Sequence, residues 1–359
     1  MKILLLAGGA SNERVVSLTS GEAVLAALQR LGHEVQAIDP ANGRSLLSSD
    51  GKFITSSGSD SKKDVVTNLG VSALVNALSS PQCQNVEVVF IALHGGAGEN
   101  GAIQCLLELA GKAYTGSDMT ASAVAMDKAI TKRLFISAKI PTPDWELYRL
   151  TSSKVDDPLV EKICRRFSFP IIVKPNDSGS TIGLTKVEDK SGLRPALEKA
   201  LKESPNILVE KYIPGRELTV AVLDGQALPV VEIKAATGLY DYEAKYIKGK
   251  SEYIVPAEID SETSKSIQEA AAKAYNIIGA AGLVRVDFIL VDNGEFYCLE
   301  VNTVPGMTSL SLAPMAAKAM GIGFDELISR LIKLALNRHD SRLRSNPPKA
   351  GRTPKSSSL

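Results

Sequence analysis

The chain is poor in the residues that usually declare a chemistry. It has three histidines, four cysteines and one tryptophan in 359 residues. Cys83, Cys105, Cys164 and Cys298 form no C-x-x-C pair, and each lies in an apolar stretch. They read as small buried hydrophobes rather than as a disulfide framework or a metal cage. No G-x-x-x-x-G-K-[ST] sequence occurs, which excludes the standard P-loop. No apolar run approaches the length of a membrane span, and the one in MKILLLAGG is too short for a secretory leader. Net charge is only +1, so neither a specific nucleic acid nor a membrane is expected as partner. The charge is uneven. From Asn337 onward six basic residues (Arg338, Arg342, Arg344, Lys349, Arg352, Lys355) face Asp340, a local +5, and the composition there is that of a disordered basic tail. What remains is ordinary for a cytoplasmic enzyme, 44% hydrophobic and 23% charged.

Periodicity predicts strands at 2–7, 34–38 and 86–93 and helices at 21–31 and 103–109. That rhythm implies a Rossmann-like parallel sheet covered by helices. Residues 41–70, with seven serines, read as an irregular surface insertion. One long helix is expected over 121–138. Strands follow in FPIIVKP, IGLTKV and NILVEKY, helices at 193–203, 261–280, 312–320 and 324–336, and hairpin turns at Asp224-Gly225 and Asn293-Gly294. The expected fold class is α/β (α+β) in three lobes, 1–120, 121–213 and 214–337, before a tail at 338–359.

The hairpin LVRVDFILVDNGEFYCLEVN carries a geometric argument. A two-residue turn at Asn293-Gly294 puts Asp287 opposite Glu300 and Arg285 opposite Asn302. Residues two apart share a face, so all four project together, while Val286, Phe288, Leu299 and Val301 are expected to bury the other face. Carboxylates directly opposite one another repel. A hard divalent cation removes that cost, and Asp, Glu and Asn oxygens suit Mg²⁺. The alternative is a solvated face on which Arg285 compensates the acids. Metal sites of this kind share their ligands with phosphates, so a nucleotide is expected nearby.

Two glycine loops compete for that nucleotide. GAGENG, residues 96–101, fits G-x-G-x-x-G between a strand and a helix. It does not follow the first strand, however, and Glu99 would set a carboxylate beside a pyrophosphate. IIVKPNDSGSTIG is the better candidate: Lys174 ends a buried strand, and residues 178–181 supply backbone N–H groups and hydroxyls.

Several stretches together resemble the D-alanine–D-alanine ligase family of the ATP-grasp superfamily. They are GGASNERVVSLTSG, HGGAGENGAIQ, YTGSDMTASAVAMDK, IIVKPNDSGSTIG, LVEKYIPGRELTVAVL, YDYEAKY, RVDFIL and LEVNTVPGMTSLSL, in family order from about residue 3 to 336. The resemblance implies ATP between the second and third lobes. Lys128, Lys174 and Lys245 would meet its phosphates, Glu210 with the backbone of Lys211 and Ile213 the adenine, and Glu217 the ribose. Asp287, Glu300 and Asn302 would carry two Mg²⁺ or Mn²⁺ ions. The implied reaction joins two D-alanines through a D-alanyl phosphate, for peptidoglycan precursor synthesis. Glu13, Ser180 and Tyr246 match the residues around the first D-alanine, Arg285 and the N–H of Gly306 the oxyanion stabilisers, and Ser311 and Leu312 the contacts to the second. His94 stands near the substrate or serves the loop alone. A homodimer is expected. The chain departs from the family pattern at Val15 and Asn100, where an acid is usual, and in the PNDSGS loop. YDYEAKYIKGK, residues 240–250, reads as a lid, with Tyr246 favouring a dipeptide over an ester product.

Overall fold

The computed structural model describes residues 1–54, 75–76, 85–152, 154–235 and 251–345. The run KILLL forms β1 (Lys2–Leu6), buried from Ile3 onward as a central parallel strand must be. β2 (Glu34–Asp39) lies parallel on one side of it, with β3 (Arg44–Ser45) antiparallel at the edge, and β4 (Val88–Ile91) lies parallel on the other. α1 (Arg14–Arg30) starts well before residue 21. Its first turns bury serines instead of apolar side chains, which hides them from a hydrophobic pattern. Ser17 Oγ accepts from Gly8 N at 2.8 Å and donates to the Ala92 carbonyl at 2.7 Å. The stretch expected as a surface insertion contributes to the core through 54: Leu46 is buried, and Phe53 packs against the first-lobe core.

A short turn of 3₁₀ helix at Gly96–Gly98 leads into α2 (Ala102–Leu109). The single helix expected over 121–138 is two, α3 (Met119–Met126) and α4 (Lys128–Ser137). Asp127 is extended between them, and its carboxylate accepts from Ile130 N at 2.9 Å, a helix start. Ala125, Phe135 and Ile140 belong to the core under the third sheet, so this stretch packs there and not with the central lobe.

The central lobe is a sheet in the order β5 (Trp145–Arg149), β8 (Asn206–Lys211), β6 (Ile171–Pro175), β7 (Thr185–Val187), with antiparallel neighbours throughout. α5 (Asp157–Arg166) and α6 (Lys190–Leu201) cover one face. The third sheet runs β12 (Ser251–Ile254), β11 (Val231–Ala235), β9 (Arg216–Leu223), β13 (Leu283–Leu290), β14 (Phe296–Asn302). β10 (Gln226–Ala227) turns back from β9 at Asp224-Gly225, both in the left-handed region as that turn requires. α7 (Ser261–Ile277), α3 and α4 pack on one face of this sheet. α8 (Leu312–Ala319) and α9 (Phe324–Ser345) join the other face to the first lobe.

Residues 338–345, expected as the start of a tail, continue α9 to Ser345. Arg338 lies 4.5 Å over the Tyr114 ring and donates to the carbonyls of Gly116 and Tyr114. Arg342 bridges Glu108 at 3.0 Å and Asp118 at 2.8 Å. These basic residues dock a helix onto the first lobe. Cys298 is buried, whereas Cys105 and Cys164 are only partly so.

Candidate active site

The β13–β14 hairpin reaches the expected pairing by a different route. Val291 N donates to the Glu295 carbonyl and Gly294 N to that of Val291, so the turn is one residue longer than a two-residue loop. Next to it Leu290 pairs with Phe296 and Phe288 with Cys298, one residue out of the expected register. A bulge at Leu299 then adds one residue to β14 and restores Asp287 opposite Glu300 and Arg285 opposite Asn302. The two irregularities cancel. Leu299, expected to bury the far face, instead lines a cavity together with Glu300.

On that face Arg285 grips Asp287 with two hydrogen bonds, at 2.8 and 2.9 Å, and Thr219 Oγ1 donates to Asp287 at 2.7 Å. The compensating arginine is therefore real. Among the described residues no three His, Cys, Asp or Glu side chains form a metal cluster. The donor set here is two carboxylates and the Asn302 amide. Such a set of hard oxygens fits a Mg²⁺ that completes its shell with phosphate oxygens and water.

The first cavity opens between the central and third sheets. Lys128, Lys174, Lys211, Ile213 and Glu217 line it, with Asp287 and Glu300 at one end. Lys174 Nζ lies 2.5 Å from Glu210 Oε1, and a third residue, Lys132, lies 2.9 Å from Glu210 Oε2. The Glu210 carboxylate, expected at the adenine, is thus engaged by two lysines. Burial alone would raise the Glu210 carboxyl, but the two ammoniums outweigh it and hold it below the usual carboxylate range. Lys128 donates to the Ser178 carbonyl at 2.7 Å and stands 3.4 Å from Glu300.

The second cavity, of about 500 Å³, joins the first at Lys128, Gly179 and Glu300. Glu13 from the loop after β1 and Ser180 from the loop after β6 meet there, both buried, with the hydroxyl donating to the carboxylate. Ser180 and Thr181 are in the left-handed region, at φ 49° and 62°, a conformation a serine-rich loop adopts only when its surroundings hold it. A methyl at Gly95 would stand 2.6 Å from Glu13 Oε2 and one at Gly179 2.9 Å, so both positions need glycine to admit the carboxylate. His94 Nε2 is 3.1 Å from Ser20 Oγ, and Nδ1 is 3.6 Å from Glu99. Ser20 also accepts from Met307 N at 3.2 Å, which ties His94 to the loop before α8. Asn100 does not support His94. It accepts from Ala102 N at 3.1 Å at the start of α2, and Glu99 faces the ring instead. Arg285, Asn302, Gly306, Ser311 and Leu312 line the opposite wall. Ser311 precedes α8, whose free N–H groups suit a carboxylate. Lys245, Tyr246 and the rest of 240–250 lie outside the described residues.

Residues 2–117 match the family model described as D-ala D-ala ligase N-terminus, and 134–333 the one described as D-ala D-ala ligase C-terminus. The chain belongs to the D-alanine–D-alanine ligase family. A curated D-alanine–D-alanine ligase of Gloeobacter violaceus is 42% identical over 338 residues, covering 94% of this chain and 100% of that protein. Another, of Syntrophotalea carbinolica, is 42% identical, with 92% and 95% covered. The solved D-alanine–D-alanine ligase of Bacillus anthracis complexed with ATP matches with a TM-score of 0.75 at 28% identity, over 95% of this chain and 99% of that one. A D-Ala:D-Ser ligase from Enterococcus faecalis matches with 0.73 at 30% identity, over 93% and 99%. The fold is the three-lobed ATP-grasp fold of the ligase family.

Three residues of this ligase-family site escape a reading of the sequence. Glu99 was set aside as part of a false glycine fingerprint. Leu299 enters only through the bulge. Lys132 stands four residues after Lys128 on α4, a helical spacing that could have paired them.

Proposed function

We propose that this chain is an ATP-dependent D-alanine–D-alanine ligase that makes the dipeptide for peptidoglycan precursors in the cytoplasm, as a homodimer. Family membership supports the reaction class. The observation that carries the site is the convergence of Glu13, Ser180, Arg285 and Glu300, from all three lobes, on the second cavity, which meets the first at Glu300.

In this reading ATP occupies the first cavity. The backbone at Lys211 and Ile213 meets the adenine, Glu217 the ribose, and Lys128 and Lys174 the phosphates, to which the family resemblance adds Lys245. Glu210, which lines the same cavity, joins Lys211 and Ile213 at the adenine while its carboxylate also holds Lys174. Asp287, Glu300 and Asn302 would hold two Mg²⁺ or Mn²⁺ ions, which neutralise phosphate charge during transfer. Arg285 would then divide its guanidinium between Asp287 and the reacting group.

The first D-alanine sits with its ammonium at Glu13, beside Ser180 and Tyr246, and its carboxylate toward the γ-phosphate. A carboxylate oxygen bonds to phosphorus and ADP leaves. The amine of the second D-alanine then bonds to the acyl carbon, phosphate leaves and the amine sheds a proton. Ser311 and Leu312 orient the second carboxylate, while Arg285 and the Gly306 N–H face the oxyanion that forms on the tetrahedral carbon. His94, held by Ser20 and Glu99, borders the first subsite.

The test is direct. With ATP, Mg²⁺ and D-alanine the full chain should release phosphate and form the dipeptide in equal amounts. Absence of D-alanine-dependent phosphate release sinks the reading. Running D-serine and D-lactate alongside asks what the second subsite accepts, since a structural relative is a D-Ala:D-Ser ligase.

A further inference from the structure

Lys132 lines neither cavity, yet its side chain is fully buried, at 0% exposure. A lone ammonium in that setting is too costly to keep. Lys132 has two partners, Thr142 Oγ1 at 2.7 Å and Glu210 Oε2 at 2.9 Å. The other oxygen of Glu210 is 2.5 Å from Lys174, which does line the first cavity. One carboxylate therefore faces two ammoniums, and the triad carries a net +1. If Lys132 were uncharged, Glu210 and Lys174 would cancel. The triad joins two lobes. Lys174 and Glu210 sit on β6 and β8, whereas Lys132 comes from α4, which packs on the third sheet. Asn176, just past β6, strengthens that seam: its carbonyl accepts from Lys128 N at 3.1 Å and its Oδ1 from Ala129 N at 2.9 Å. Burial pushes the Lys132 ammonium below its ordinary value, and the Glu210 charge opposes that push.

We propose that Lys132 is a positioning residue that neutralises Glu210, so that the charge of Lys174 stays available to the triphosphate of ATP. The proposal rests on the reading that the phosphates lie against Lys174.

The experiment uses the full chain and Lys132→Met, which keeps most of the side-chain volume and removes the charge. The KM for ATP rises about tenfold, a screened fraction of one charge at this range. Inhibition by adenosine, which has base and ribose without phosphate, stays within about twofold, as does the KM for D-alanine. Lys132→Arg, which keeps the charge, recovers most of the ATP affinity. A rise in the adenosine inhibition constant equal to that in the ATP KM assigns Lys132 to the shape of the cavity and overturns the proposal. An unchanged ATP KM overturns it as well. Lys174→Met tests the underlying reading separately. If it leaves the ATP KM unmoved, the phosphates lie elsewhere. If it raises the KM while Lys132→Met does not, only the inference about Lys132 fails. Should Lys132→Met not fold, Thr142→Val removes a single hydrogen bond from the same ammonium. It is read in the same way, with a rise of about threefold for ATP and none for adenosine.

Discussion

The two cavities share a wall at Lys128, Gly179 and Glu300 but are built by opposite means. The first takes most of its charged residues from strands. Lys174, Glu210, Glu217 and Asp287 stand on β6, β8, β9 and β13, in ladders that fix where each side chain points. The second is made from ends. Glu13, His94, Ser180 and Ser311 come from the loops after β1, β4 and β6 and the start of α8. A ladder holds a charge at a fixed spot for a ligand that is the same each turnover. Loop ends from separate lobes can be adjusted one at a time, which suits the half of the site where relatives differ in their second substrate. The comparison predicts that changes in the first cavity act through ATP alone, and changes in the second through D-alanine alone. Residues at the junction affect the chemical step.

Arg285 lines the second cavity and grips Asp287 of the first, so its loss gives the largest effect. Arg285→Met removes the proposed oxyanion partner and the two bonds to Asp287. It should lower kcat by about 10²–10³-fold with both KM values changed little. Steady-state kinetics in each substrate checks this, and a loss confined to KM for either substrate would remove Arg285 from the chemical step. Next in size is Glu13→Gln. It keeps the shape of the pocket at Gly95 and Gly179 but removes the charge proposed to meet the first ammonium. A charge-assisted hydrogen bond of about 1.5–3 kcal/mol corresponds to a rise in D-alanine KM of about ten- to a hundredfold, with the ATP KM unchanged. An equal rise in the ATP KM would break the division between the cavities.

The sequence pattern reads the ladder half better than the end half, for a physical reason. Strand alternation and buried runs located β6, β8, β9 and β13, and the face shared by Arg285, Asp287, Glu300 and Asn302 came from period two on a two-residue turn, holding because the longer turn and the bulge cancel. The loops carry no period, and there the resemblance to a family did the work that spacing could not. Where period failed, a polar group inside was the cause. Ser17 and Ser20 hid the first turns of α1, and Asp127 split one helix into two. Arg338 and Arg342 gave a docked helix the look of a disordered tail, because a basic residue over a tyrosine ring reads like a basic residue in water until the ring is placed.

That docked helix supports the end half, since it packs against the lobe that carries Glu13 and His94. A chain cut after Asn337 loses the Arg338 stack on Tyr114 and the Arg342 ion pairs. Its Tm should fall by about 1–2 °C, as expected for a loss near 1 kcal/mol in a protein of this size. The D-alanine KM should rise more than the ATP KM. A chain cut after Ser345 should melt with the parent. Differential scanning calorimetry on both separates a bracing role for the helix from an inert extension.

The smallest effect tests the ladder half at its one irregular point. The bulge sets Leu299 beside Glu300 at the first cavity and not the second, so its side chain would offer apolar surface to the proposed nucleotide and none to the amino acids. Leu299→Ala exposes about two methylene equivalents of contact. At about 0.8 kcal/mol each when fully buried, and less on a partly open wall, this gives a rise in ATP KM of about three- to tenfold. The adenosine inhibition constant should rise in step, because the contact is apolar and involves no charge. kcat and the D-alanine KM should hold. A change in kcat would mean that Leu299 sets the register of Glu300 against Asp287, and the bulge would then serve the chemical step instead of the nucleotide's apolar face.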